Sequence, residues 1–93
     1  CGNDLQALGV YAAAGEVDLR VPDDLSVVGF DDIDQATWLA PPLTTVRQQF
    51  GEIGATAARL ALTLADGRPL TQERYELGTA LVVRGSTAPP RAR

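Results

Sequence analysis

The sequence has no histidine, no methionine and no lysine, and its single cysteine is Cys1. With no second thiol there is no internal disulfide, and a zinc site built from cysteine and histidine lacks its ligands. The same absences remove Ser-His-Asp and Cys-His catalysis. No run approaches the roughly 18 apolar residues that a membrane-spanning helix needs. The opening residues also lack the basic patch and apolar stretch of a signal peptide, so a cytoplasmic chain with no membrane contact is expected. Positive charge is scarce as well: 8 arginines stand against 12 acidic residues, a net charge of −4. The acids are scattered from Asp4 to Glu76, and such a balance argues against direct nucleic-acid binding, which needs a basic face. What remains for chemistry is carboxylates, hydroxyls, amides and guanidiniums. In 93 residues, 45% of them hydrophobic, there is room for one domain at most.

Hydrophobic periodicity organises the chain. Leu5, Leu8 and Ala12 recur at helical spacing, with Val10 and Tyr11 widening the apolar face, which predicts a helix from Asp4 to about Val17 capped by Asn3. Val21-Pro22 is an extended connector into Leu25-Ser26-Val27-Val28-Gly29-Phe30, a β-branched run that predicts a strand covered on both faces. Gln35 to Leu39 predicts one or two helical turns, stopped by Pro41-Pro42, and Leu43 to Val46 a second short strand. The clearest amphipathic helix runs from Phe50 to Ala65, with Gly67 in the place of a C-terminal cap. Tyr75-Glu76-Leu77 alternates, Leu81-Val82-Val83 is a compact apolar run, and Thr87 onward has no packing pattern. This order is α/β. The strand that should feed the first helix would lie before Cys1, so these residues are expected to be the C-terminal part of a larger domain.

Ligands of open α/β sheets settle outside the carboxyl ends of the strands. Asn3 and Asp31 both occupy such positions, and an amide with a carboxylate suits a sugar or other polyol. Asn3 alone also reads as a plain helix cap, and Asp31-Asp32 as a solvated loop. Asp31, Asp32 and Asp34 could hold Mg²⁺ for an enzyme, but no phosphate-cradling glycine loop accompanies them. Trp38 reads either as an interior anchor or as a subunit contact. Thr44 and Thr45 are good strand residues.

The blocks Asn3-Asp4, Ala7-Leu8-Gly9, Leu19 to Asp32, Pro41 to Gln48 and Leu81 to Thr87 together closely resemble the C-terminal third of LacI/GalR-family transcriptional regulators. The resemblance implies an α/β, periplasmic-binding-protein-like, Rossmann-like three-layer effector domain, of which this is a C-terminal fragment only. It places residues 1–46 in a C-terminal subdomain and 47–80 in an N-terminal one. Residues 81–87 become a return strand and 88–93 a mobile tail. Asn3 and Asp31 then match effector contacts, with a sugar as the expected ligand. Gln6, Leu8, Gln35, Trp38 and Leu39 match stretches facing the partner of a homodimer, and Arg47 and Leu81 fall at hinge crossings. No catalytic residue, metal or cofactor is implied, and operator DNA would be read by an N-terminal helix-turn-helix outside these residues. Two departures stand out: Asp18 replaces a usual glycine, and Gly78-Thr79 replaces a usual Leu-Pro. The alternative from another class is a sugar-binding protein of a transport system with the same fold.

Overall fold

The structure is a computed structural model and describes residues 1–69 and 76–90. Its first helix, α1, spans Asp4–Glu16. Asn3 is extended, and its side-chain oxygen accepts from the Gln6 N–H at 2.8 Å, satisfying one of the donors that a helix start leaves open. At the other end Asp18 adopts φ 58°. The Leu19 and Asp18 N–H groups donate back to the Ala14 and Gly15 carbonyls, so the turn that usually takes glycine is completed by an aspartate. The face that α1 buries differs from the expected one. Leu5 is 63% exposed, whereas Ala7 and Ala14 are buried together with Asp4. The small Ala7 lets the helix approach Val27, Ala36 and Leu43, and Val10, Tyr11, Val21 and Leu39 pack around that cluster.

Leu25 to Phe30 does not form the continuous strand predicted. Only lone parallel bridges occur, Val28 with Thr44 and Asp31 with Arg47. The reason lies in the hydrogen bonds, which are shared among several neighbours. Val27 N donates to Ser86 O, Gly29 N to Thr44 O and Asp31 N to Val46 O, while Val28 O and Phe30 O accept from Cys1 N and Asp4 N. No single partner therefore supplies a run of consecutive bridges. Within these residues Val27 is buried while Leu25 and Val28 are exposed.

A 3₁₀ turn spans Asp34–Thr37. Strand β1, Thr45–Arg47, pairs antiparallel with β2, Ala80–Val82, in the register Thr45↔Val82, Val46↔Leu81 and Arg47↔Ala80. Leu43 and Thr44, expected inside the second strand, are buried just ahead of it. Ser86 joins these segments: its hydroxyl donates to Val27 O at 2.6 Å and accepts from Thr44 N at 2.8 Å. Ala88 exchanges two hydrogen bonds with the Ser26 hydroxyl, although a mobile tail was expected from residue 88. Residues 91–93 of that tail lie outside the described residues.

Two compact units divide the chain, Cys1–Gln48 with Ala80–Arg93 and Gln49–Thr79. The second contains α2, Phe50–Ala65, which ends in the expected way. Gly67 has φ 74°, and the Gly67 and Arg68 N–H groups return to the Leu64 and Thr63 carbonyls. Within this unit the helix buries none of its residues, and Ile53, Ala57 and Leu60 with Leu77 line an apolar groove. Tyr75, part of a predicted alternating run, lies outside the described residues. Among the described residues no helix is long and apolar enough to cross a membrane.

Candidate functional site

The first unit brings Asn3 and Asp31 to the same end of the paired segments. Asp4 N donates to Phe30 O at 3.0 Å, so the Asn3-Asp4 peptide runs beside the Phe30-Asp31 peptide. Asn3 is half-buried, and with its oxygen engaged in capping, its amide nitrogen is left to donate elsewhere. Asp31 is half-buried as well and sits at φ 118°, a region that side chains rarely enter. Its N–H donates to Val46 O at 2.8 Å, and its Oδ1 accepts from Gln48 Nε2 at 2.6 Å.

Asp4 holds this end from below. It is 1% exposed; Oδ2 accepts from the Ile33 N–H at 2.8 Å and Oδ1 from the Thr45 hydroxyl at 2.6 Å. Thr45 is thus more than a strand former: its hydroxyl closes the carboxylate's shell. Gly29 is required here, because a Cβ would run into the Asp4 carboxylate and meet Leu43 Cδ2 at 2.9 Å.

Asp32, at φ 60°, faces two guanidiniums. Arg47 Nε lies 2.7 Å from Oδ2 and Arg84 Nη2 2.7 Å from Oδ1, while Arg84 Nη1 donates to Leu43 O at 2.8 Å. Burial acts to raise the Asp32 carboxyl, but the hydrogen bonds and charges of Arg47 and Arg84 outweigh it and hold the group below the usual carboxylate range. With both oxygens engaged by arginines, Asp32 is poorly placed to join Asp31 and Asp34 around Mg²⁺. Among the described residues no three carboxylate, cysteine or histidine side chains gather as metal ligands.

The remaining predicted residues are placed as follows. Gln6 is exposed and its Oε1 accepts from Gly2 N at 2.7 Å; Leu8 is half-buried. Gln35 is exposed, Trp38 is 74% exposed, and Leu39 packs partly into the core. Trp38, for which an interior anchor is the default reading, is thus not buried by the residues described. Arg47 and Leu81 lie on the paired strands β1 and β2, at neighbouring register positions. Sequence reasoning missed the tasks of Asp4, Gln48 and Arg84. Nothing in their spacing marks them, since their partners lie 17 to 52 residues away.

Residues 1–87 match a family model described as a periplasmic binding protein-like domain. The ribose operon repressor of Escherichia coli K12 is 41% identical over 85 residues, 91% of this chain and 26% of that protein. The chain thus spans about a quarter of the length of the curated relatives it matches. Among solved structures, a lac repressor dimer bound to operator and the anti-inducer ONPF aligns with TM-score 0.84 at 40% identity, over 92% of this chain and 30% of that one. A LacI-family regulator of Enterococcus faecalis V583 with bound ribose aligns with TM-score 0.89 at 35% identity, over 96% of this chain and 33% of that one. With a match running from residue 1 to residue 87, the chain belongs to the periplasmic binding protein-like domain family, and the proteins it resembles there are a ribose operon repressor, a lac repressor and a LacI-family regulator.

Proposed function

We propose that these residues are the effector-binding and dimer-forming portion of a LacI-type transcriptional regulator, which acts by linkage and not by catalysis. The observation that supports this reading is the backbone hydrogen bond from Asp4 N to Phe30 O, which brings the chain at Asn3-Asp4 beside the chain at Phe30-Asp31. Asn3 and Asp31 contact a small polyhydroxylated effector there. A carboxylate accepts from adjacent hydroxyls and an amide both donates and accepts, which fits a sugar. Bound ribose in a LacI-family relative supports that ligand class. Regulators among the relatives favour this reading over a transport protein.

The effector changes operator affinity only through unequal affinity for two states of the complete protein. Arg47 and Leu81 serve as hinge positions, since the chain leaves the first compact unit just after Arg47 and re-enters it at Ala80. Gln6, Leu8, Gln35, Trp38 and Leu39 contribute to a homodimer face. Operator DNA is read by a helix-turn-helix elsewhere in the protein. In the intact regulator, titration with D-ribose should give saturable binding and alter operator affinity. Asp31→Ala should abolish the response and leave ligand-free operator binding unchanged; a variant that still responds to ribose overturns the assignment.

A further inference from the structure

The charge cluster around Asp32 is not used by effector contact as such. Its geometry is specific. Arg47 closes β1 just before the chain leaves the first unit, and Arg84 follows β2 just after the chain returns. One carboxylate, its side chain 10% exposed, receives both guanidiniums at 2.7 Å. Arg84 carries the bond further, to Leu43 O, and its own N–H donates to the Thr44 hydroxyl at 2.9 Å. The residue before Asp32 is Asp31, and both have positive φ. Side chains enter that region only where their surroundings over-determine them. The Asp31 N–H to Val46 O and the Ile33 N–H to Asp4 Oδ2 fix the loop from either side of Asp32, and the two ion pairs fix its middle.

We infer that Asp32 is a positioning residue: by clamping both crossing segments through Arg47 and Arg84, it holds Asp31 in the strained backbone that presents its carboxylate to the effector. This rests on the reading of Asp31 as an effector contact. Its consequence is that effector affinity depends on a charge that does not itself touch effector, and that the loop and both crossing segments move as one piece.

The test uses the intact protein with Asp32→Asn, Asp32→Glu and, as a control on an exposed neighbour, Asp34→Asn. Calorimetry with D-ribose measures affinity, and amide hydrogen exchange measures local opening without ligand. Asp32→Asn should weaken ribose binding by about tenfold or more and speed exchange at the Asp31 and Ile33 amides by about tenfold or more, with α1 amides within about twofold of native. Asp32→Glu should recover part of both losses, and Asp34→Asn should change neither. The inference is overturned if either readout stays at the native level in Asp32→Asn, or if α1 exchange rises as much as the loop, which would mark a general loss of stability. Should the native protein bind no ribose, the ligand class in the proposed function fails, and the exchange measurement alone decides the clamp.

Discussion

Adding one methyl group at Gly29 is a severe test of how the site is built. The Cβ of alanine would collide with the Asp4 carboxylate and press on Leu43 Cδ2 at 2.9 Å. Leu43 is fully buried, and Asp4 cannot retreat without stretching its bonds to the Thr45 hydroxyl and the Ile33 N–H. Overpacking a core costs about 1–3 kcal/mol. Losing one hydrogen bond to a charged buried group costs about 1.5–3 kcal/mol more. Gly29→Ala should therefore destabilise the protein by about 2.5–6 kcal/mol, a large part of the roughly 5–15 kcal/mol available to a folded domain. Urea unfolding reads this as a lower transition midpoint at unchanged slope. The collision needs the carboxylate, so the penalty should fall by at least about half when Asp4 is first replaced by alanine, a coupling that a double-mutant cycle measures. Gly9→Ala is the matching control: nothing lies within 4 Å of its Cβ position in α1, and a gain of about 0.5–1 kcal/mol is expected. A Gly29→Ala cost below about 1 kcal/mol, or one that persists in full without the Asp4 carboxylate, refutes the reasoning.

Two further outcomes follow from groups described above. Trp38→Ala removes a large, 74% exposed aromatic side chain and should weaken self-association by about tenfold or more, measured by sedimentation, because tryptophans are over-represented among residues that dominate interfaces; an unchanged dimer constant counts against its place on the dimer face. The Asp32 carboxyl, held below its ordinary value of 3.8 by Arg47 and Arg84, contributes stability that is fully present above that value and is lost as pH falls through the lower folded value. The stability gap between native protein and Asp32→Asn, measured by urea unfolding at a series of pH values, should accordingly be widest above pH 3.8 and narrow as pH falls further, and a gap that stays constant with pH would show that the clamp does not titrate in this way.

What the sequence disclosed was mostly local. Asn3 and Gly67 marked helix ends because capping is decided within a few residues. The Phe50–Ala65 helix was legible in full from its period. The face buried by α1 was not, because Asp4 is drawn inside by Thr45 and Ile33, and no hydropathy pattern can anticipate a carboxylate at 1% exposure. The strand expected at Leu25 to Phe30 has the right composition, yet its bonds go to several partners, a fact that belongs to tertiary arrangement. Asn3 and Asp31 could be proposed from their places after strands, while Gln48, Arg84 and both arginine bonds of Asp32 required the folded chain.

Ser86 sets a limit on when this unit can reach its final form. Its hydroxyl supplies the partner for Val27 O, 59 positions earlier, and for Thr44 N, 42 positions earlier. Until Ser86 has been synthesised and has emerged, both earlier groups must rely on water, and the register between them lacks its tie. A nascent chain can form its helices while it grows, but the mating of these two segments waits until Ser86 itself is available.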